Sequence, residues 1–311
     1  MVEELEEALQ VQYIKLHFTV AFLEDTVLPK DKVSALRGGM GNMLVQANCI
    51  SNGQCACCKF ISECLVQRTI YSKYEFKPAF VTEGESVGYV LECENYGREF
   101  KKDDFLKFNL LLFGKTIMYF HQFMEAFLAL GVKGLGKERG KYRIVSVTNS
   151  LNKTIYFEGK YDISQYQVLR LYDYVVYRQK QTQNCKIENQ LVFKTPLTLK
   201  YNGIFLMEYQ VWPILKAISR RIFMLDCYEG IYNHYYQMEK FRTPEIKYQE
   251  HNIISVRRYS ERKNQSMVLK GIKGYFMVEE WYPENLPLLF AGELIHIGKN
   301  TSFGFGRYRI K

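Results

Sequence analysis

The sequence lacks any apolar run of the ~18 residues that a membrane-spanning helix needs. It also lacks the basic start of a secretory signal peptide, since its first ten residues, MVEELEEALQ, are acidic. These two absences predict a cytoplasmic protein with no membrane partner. Because thiols stay reduced in the cytoplasm, we do not expect the eight cysteines to form a disulfide framework.

The composition is that of a globular chain, with 47% hydrophobic and 24% charged residues. Its 311 residues are enough for two packed cores of ~150 residues each. The net charge of +9 favours a polyanionic partner, such as nucleic acid or an anionic membrane surface. A basic soluble protein without such a partner is the alternative.

Strand-like and helix-like segments alternate along both halves of the chain. Residues 13–22 alternate apolar and polar side chains, which predicts a half-buried strand. Residues 32–47 are helix-like, and their three glycines indicate close packing. Each half closes with an apolar helix, a glycine-rich basic loop and a strand. This order predicts an α+β fold of two tandem ferredoxin-like domains, residues 1–183 and 184–311. The first domain is expected to carry an insertion at 48–75, which holds a cluster of cysteines followed by a strand-like, Tyr-rich piece.

The C-terminal stretch GKNTSFGFG, before the strand RYRIK, is the strongest functional signal. Its glycines let backbone N–H groups approach a phosphate, its basic side chains add charge, and its aromatic rings can stack on bases. Residues 251–311 hold ten Lys or Arg against five Asp or Glu, so +5 of the net +9 lies beside this loop. A turn that only packs at a sheet edge is the alternative. The candidate RNA-binding residues of the loop are Gly298, Lys299, Phe303, Gly304, Gly306 and Arg307.

The ending GELIHIGKNTSFGFGRYRI resembles the signature close of CRISPR-associated RAMP proteins, nearest to the repeat-processing endoribonuclease family Cas6. Four further stretches agree in the same order, namely ALRGGMGNML, FNLLLFGKTIMYFHQFMEAFLALGVKGLGKERGKYRIVSV, FKTPLTLKYNG and RRYSERKNQSMVLKGIKGYF. The resemblance covers most of the chain. It implies two ferredoxin-like RAMP domains, binding of CRISPR repeat RNA, and cleavage that needs no metal or other cofactor.

Metal-independent cleavage of RNA uses the 2′-hydroxyl as nucleophile and leaves a 2′,3′-cyclic phosphate and a 5′-hydroxyl. It needs a base, an acid and cations for the developing charge, and histidine suits the first two roles. The resemblance implies a catalytic histidine on the first helix, but residues 35–47 contain none. We therefore take His296, directly before the glycine loop, as the first candidate and His121 as the second.

Tyr259, Arg262 and Lys299 are candidate helpers at the catalytic position, as orienting groups or charge stabilisers. His17, His234 and His251 carry no comparable signal. Further basic residues are expected to bind RNA. These are Arg37, Lys133, Lys137, Arg139, Arg257, Arg258, Arg262, Lys263 and Lys273.

Two functions remain open from the sequence. The first is an endoribonuclease that cuts CRISPR repeat RNA into guide RNAs. The second is a non-catalytic RAMP subunit that holds guide RNA inside a CRISPR effector or adaptation complex, with other CRISPR subunits as partners. The match along most of the chain favours the first, and the missing first-helix histidine favours the second.

A cysteine cluster near residue 55 has the spacing C-x5-C-x2-C-x5-C. Four thiolates in a short loop can close a tetrahedral zinc site, which would be structural because the expected cleavage needs no metal. Unliganded loop cysteines and an iron–sulfur cluster are the alternatives. The four candidate ligands are Cys49, Cys55, Cys58 and Cys64.

Overall fold

A computed structural model describes residues 6–51, 53–74, 76–81, 86–183, 188–231, 241–260 and 265–311. Within these ranges helices pack against antiparallel sheets, so the predicted α+β class is confirmed. The helices are α1 (Val33–Asn48), α2 (Leu65–Thr69), α3 (Phe120–Lys133), α4 (Leu171–Gln183), α5 (Val211–Glu229) and α6 (Leu286–Ile295).

The strands form two main sheets and two short hairpin-like pairs. The first sheet has the order β3-β5-β1-β6-β7-β8, with β9 also paired to β1, and the second has the order β13-β14-β10-β15. The pairs are β11 with β12 and β2 with β4. The strands are β1 (Gln12–Phe22), β2 (Thr26–Val27), β3 (Tyr89–Glu92), β4 (Glu99–Phe100), β5 (Phe105–Phe113), β6 (Tyr142–Thr148), β7 (Thr154–Phe157), β8 (Lys160–Tyr161), β9 (Leu169–Arg170), β10 (Gln190–Phe193), β11 (Lys200–Tyr201), β12 (Ile204–Phe205), β13 (Ile246–Ser260), β14 (Gln265–Val278) and β15 (Tyr308–Ile310).

Strand β1 owes its place at the centre of the first sheet to its alternating side chains. Ile14, Leu16 and Phe18 are buried in one core cluster with residues of α1 and α3. The ring of Phe18 stacks on Phe108 at 4.8 Å between centroids and meets Phe127 of α3 at 5.1 Å. Burial of each such ring contributes roughly 2 kcal/mol, so this face fixes the register of the strand.

Helices α1 and α3 approach closely at one glycine. A Cβ atom on Gly39 would lie 2.5 Å from Cδ1 of Leu130, whereas Cβ atoms on Gly38 and Gly41 would meet open space. Close packing therefore explains one of the three glycines of α1, and the structure offers no contact that explains the other two.

The second sheet packs against α5 and α6 in a separate core cluster that also takes in Leu171 and Val175 of α4. A buried ion pair holds α4 to α6, because Arg178 Nε lies 2.7 Å from Glu293 Oε2. Glu293 Oε1 also accepts a hydrogen bond from the backbone N–H of Ile310 at 2.8 Å. One carboxylate thus joins α4, α6 and β15.

Several element bounds differ from the sequence expectations. The strand-like, Tyr-rich piece expected after the cysteines includes the short helix α2. The helix expected over 208–240 is α5, which ends at Glu229 before Gly230 in a left-handed conformation, and residues 232–240 lie outside the described ranges. The division of the chain at 183/184 stays a prediction. In the described part of the chain, no helix is both long and apolar enough to cross a membrane.

Candidate nucleic-acid interface

The C-terminal glycine loop runs from the end of α6 to β15, and its glycines are required by the backbone. Gly298, Gly304 and Gly306 have φ angles of +80°, +76° and +72°, which favour glycine. A Cβ atom on Gly298 would lie 2.5 Å from the carbonyl oxygen of Thr198, and one on Gly306 would collide with that of Ile297. In this structure the glycines serve close packing of the loop against its own neighbours.

A pocket of about 310 Å³ opens beside this loop. Its walls include the loop residues 298–303, strand β11 and the middle of α5. No Asp or Glu is among the described residues that line it. The lining cations are Arg37, Lys200, Lys216, Arg220, Arg221 and Lys299, and the lining rings are Phe80, Tyr201 and Phe303. This concentration of cations among the described lining residues suits a polyanion.

The sequence prediction included only part of this lining. Arg37 and Lys299 were expected to bind RNA, and both line the pocket. Lys200, Lys216 and Arg220 were missed, although Lys216 and Arg220 are four residues apart and so share one face of the expected helix. That spacing was the available signal.

Two arginines converge on Phe303 at the edge of the pocket. The guanidinium carbon of Arg37 lies 4.0 Å from the centroid of the Phe303 ring, and that of Arg258 lies 4.4 Å from it. Arg37 is oriented by two neutral hydroxyls, because its Nε donates to Ser302 Oγ at 3.2 Å and its Nη2 to Ser86 Oγ at 3.0 Å. Burial and the charge of Arg37 lower the pKa of Arg258.

The first glycine loop is separate from the pocket. Leu135 and Gly140 exchange backbone hydrogen bonds of 2.9 and 3.0 Å that close the loop. None of its predicted RNA-binding residues, Lys133, Lys137 and Arg139, is part of the pocket lining. Whether this loop binds RNA stays a prediction.

The remaining predicted RNA-binding residues are distributed along β13, β14 and their connection. Arg257 is exposed, and Lys273 Nζ lies 5.5 Å from the centroid of the Tyr96 ring. Arg262 and Lys263 lie outside the described residues. The predicted RNA-binding residues therefore do not all meet at one place: some line the pocket and others lie along β13 and β14.

His296 is fully buried, and both of its ring nitrogens face oxygen atoms of the protein. Nε2 lies 3.0 Å from Glu92 Oε1, and Nδ1 lies 3.1 Å from the carbonyl oxygen of Phe305. Burial lowers the pKa of His296, and the hydrogen bond to Glu92 opposes this effect. The geometry gives the side chain no access to RNA, so it does not support direct acid–base catalysis by His296.

Glu92 is the centre of a buried polar cluster that joins the two sheets. Its Oε2 lies 2.9 Å from Lys15 Nζ and accepts a hydrogen bond from Asn109 Nδ2 at 2.8 Å. Its Oε1 lies 3.3 Å from Nε of Arg307, a predicted RNA-binding residue that also pairs with Glu94. Burial alone would raise the pKa of Glu92, but Lys15, His296 and Arg307 together hold it well below its usual range.

The other candidate catalytic residues do not line the pocket, or have side chains that the structure does not describe. His121 is exposed on α3, and its ring centroid is 5.7 Å from that of Tyr161. His17 Nδ1 is hydrogen-bonded to Asn109 Oδ1 at 2.8 Å. The backbone of Tyr259 pairs with Ser266 across the β13–β14 hairpin, and its side chain is outside the described atoms. No histidine is among the described residues that line the pocket.

The cysteine cluster does not form a metal-binding geometry. Among the described residues, which include all four predicted ligands, no group of three or more His, Cys, Asp or Glu side chains could hold a metal ion. The thiols make other contacts instead. Ser51 Oγ donates to Cys58 Sγ at 3.1 Å, and the backbone N–H of Gly53 donates to Cys49 Sγ at 3.2 Å. The residues as placed do not fit a zinc ion, and no step of the proposed chemistry involves one.

Comparison with known proteins gives two family matches. The family model AF_1859_N, described as an N-terminal domain, matches residues 9–168, just over half of the chain. The model described as CRISPR-associated endoribonuclease Cas6 matches residues 191–308. An uncharacterized protein of Archaeoglobus fulgidus is 22% identical over 294 residues, which cover 91% of this chain and 93% of that protein.

Solved structures share the fold at low sequence identity. A partial Cas6-RT-Cas1–Cas2 complex matches 98% of this chain with a TM-score of 0.58 and 13% identity. The chain spans only 47% of that protein, and 29% of the corresponding chain in a second structure, the Cas6-RT-Cas1–Cas2 complex. A product complex of a Thermus thermophilus Cas6 matches 96% of this chain and 99% of its own, with a TM-score of 0.51 and 14% identity.

These likenesses show that the fold is the ferredoxin-like α+β fold of Cas6 and RAMP proteins, as the sequence predicts. The two family matches lie in succession along the chain and together leave only its ends and a short middle segment unmatched. The chain therefore belongs to the family of the AF_1859_N domain over its first half, and its second half matches the model of the CRISPR-associated endoribonuclease Cas6.

Proposed function

We propose that this chain binds CRISPR repeat RNA at the basic pocket and cuts it into guide RNAs. The observation that carries the proposal is the pocket lining, in which six described cations meet with no carboxylate. Cations that neutralise phosphates supply the sequence-independent part of RNA affinity. The neighbouring aromatic rings add surfaces on which unpaired bases stack.

The proposed cleavage is a transfer within the RNA itself. The 2′-oxygen loses its proton to a base and bonds to the adjacent phosphorus. The bond from phosphorus to the 5′-oxygen breaks, and that oxygen takes up a proton. The products are a 2′,3′-cyclic phosphate and a 5′-hydroxyl. Because the nucleophile belongs to the RNA, no metal-bound water has to be generated.

Lys299 and Arg37 are the proposed stabilisers of the charge that develops on the phosphate, since both line the pocket. Tyr259 stays a predicted helper, one residue from Arg258 on β13. His296 is proposed to act indirectly. Its contacts with Glu92 and the Phe305 carbonyl hold the glycine loop in place.

A non-catalytic guide-RNA subunit is the second candidate. It is favoured by the lining of the pocket, which includes no histidine among the described residues. Two of the structures with the same fold are a Cas6-RT-Cas1–Cas2 complex and a part of one, so other CRISPR subunits are proposed partners. In this case the pocket would hold RNA without cutting it.

The test is incubation of the purified protein in EDTA with repeat RNA and with the same RNA carrying a 2′-deoxy sugar at the cut site. We expect cleavage of the first RNA only, with a cyclic phosphate on the product. Lys299→Ala should slow cleavage roughly 100-fold, whereas Lys160→Ala, at an exposed position of β8, should not. Binding without cleavage of either RNA would establish the second candidate.

A further inference from the structure

We propose that the pocket is a site for a single unpaired nucleotide, with its base inside the pocket and its phosphate held by Arg37 and Arg258. The inference rests on the proposed RNA binding and specifies which form of RNA the site accepts. It predicts that the bound RNA is single-stranded at this position, with one nucleotide turned out of the strand.

The size of the pocket limits what can enter it. Its volume of about 310 Å³ is at the lower end of the range for small-molecule pockets, roughly 300–1,000 Å³. A group the size of one nucleotide is compatible with that space, and a duplex is not. Proteins that accept a single base in such a pocket take it out of the stack, at a cost that is least when the base is already unpaired.

The walls of the pocket suit a nucleobase. Tyr201 is half-buried in β11, and Lys216 Nζ lies 5.9 Å from the centroid of its ring. Phe80 also lines the pocket, with the guanidinium carbon of Arg220 at 4.9 Å from its ring centroid. Aromatic rings and guanidinium planes are the surfaces on which single-stranded bases stack.

The phosphate position follows from the two arginines at Phe303. The guanidinium carbons of Arg37 and Arg258 lie 4.0 and 4.4 Å from the centroid of the same Phe303 ring, so this ring gathers the two charges at one place. Neither arginine has a carboxylate partner among the described residues. Arg37 is fixed by the hydroxyls of Ser302 and Ser86, which do not neutralise it.

Arg258 has one further feature that points to an anion. Among the residues that the structure describes, its buried Nε has no hydrogen-bond partner, and its Nη2 donates to the weak acceptor Met267 Sδ at 3.2 Å. A buried, unsatisfied donor on a charged group is costly. A phosphate oxygen supplies the missing acceptor and offsets the repulsion between the two arginines.

The experiment measures the affinity of the full chain for a series of repeat RNAs, each with an abasic sugar at one position. We expect one position at which loss of the base weakens binding roughly tenfold, the usual contribution of one stacked base. In Tyr201→Ala this loss should disappear, because the base is no longer held. Tyr177→Ala is the matched control, since Tyr177 is exposed on α4 outside the pocket.

A second arm tests the phosphate position. Arg258→Gln should weaken binding of intact and abasic RNA equally and reduce the slope of log K against log [salt] by about one. Arg143→Gln is the control. Because Arg143 already pairs with Glu158 at 3.7 Å, this substitution should leave the slope unchanged. Tight RNA binding with a flat abasic profile would overturn the nucleotide pocket while leaving the proposed function intact. Absence of RNA binding by the parent chain would overturn both.

Discussion

Replacement of Glu92 by Gln is the sharpest test of how the two sheets are held together. The substitution keeps the shape of the side chain but removes the charge that faces Lys15 at 2.9 Å, His296 at 3.0 Å and Arg307 at 3.3 Å. Removal of one partner of a buried ion pair costs about 3–5 kcal/mol. Lys15 and Arg307 retain side-chain exposures of 19% and 23%, so water compensates part of the loss. We therefore expect destabilisation near the lower limit, about 3 kcal/mol.

The assay is equilibrium unfolding by denaturant, with the thermal midpoint as a second measurement. A loss of about 3 kcal/mol lowers the midpoint by roughly 5 °C in a chain of this size, because the entropy of unfolding grows with length. Glu94→Gln is the matched control. Glu94 pairs with the same Arg307 but is 66% exposed, and exposed pairs contribute about 0–1 kcal/mol.

The two variants separate burial from charge pairing as the source of stability. If Glu92→Gln and Glu94→Gln lower the unfolding free energy equally, the argument that the buried cluster holds the sheets together is wrong. The same holds if Glu92→Gln unfolds with the parental midpoint.

Two further predictions concern helix packing and pH. Gly39→Ala should destabilise the chain by about 1–2 kcal/mol through overpacking against Leu130, whereas Gly41→Ala, which meets open space in the same helix, should stabilise it by about 0.5–1 kcal/mol. Denaturant unfolding of both variants measures these changes. If both variants change the unfolding free energy in the same direction, the close contact of Gly39 with Leu130 is wrong. Because the folded pKa of Glu92 is held well below its usual range, its contribution is complete above the unfolded pKa of ~4.3 and is lost as the pH falls further. The difference in unfolding free energy between the parent and Glu92→Gln should therefore shrink between pH 5 and pH 3, and a constant difference would refute it.

Much of the fold could be predicted because the relevant patterns are local. The alternation along β1 comes from the period of two that any strand has, and it correctly identified Ile14, Leu16 and Phe18 as core residues. The C-terminal block identified the family, and the family matches support it. The end of α5 was less predictable, because the apolar and aromatic pattern continues past Gly230.

The candidate site was predicted only in part, because its residues meet through long-range packing. Arg37, Lys216 and Lys299 line one pocket although they are far apart in the chain. The position of Lys216 on a helical face was visible in the sequence, but nothing local showed that this face would meet the glycine loop. The loop itself was singled out by its glycines and charges, and its residues 298–303 line the pocket.

The sequence by itself determined many of the elements, the class of fold, the family resemblance and the basic character of the C-terminal region, since these follow from residue periods, composition and a contiguous motif. Only the tertiary structure decided which basic residues share a pocket and which histidine is accessible. His296 stands next to the loop in the sequence, yet Glu92, 204 residues away, pairs with it in the interior. Burial depends on partners that are distant in the chain, and spacing along the sequence does not encode that distance.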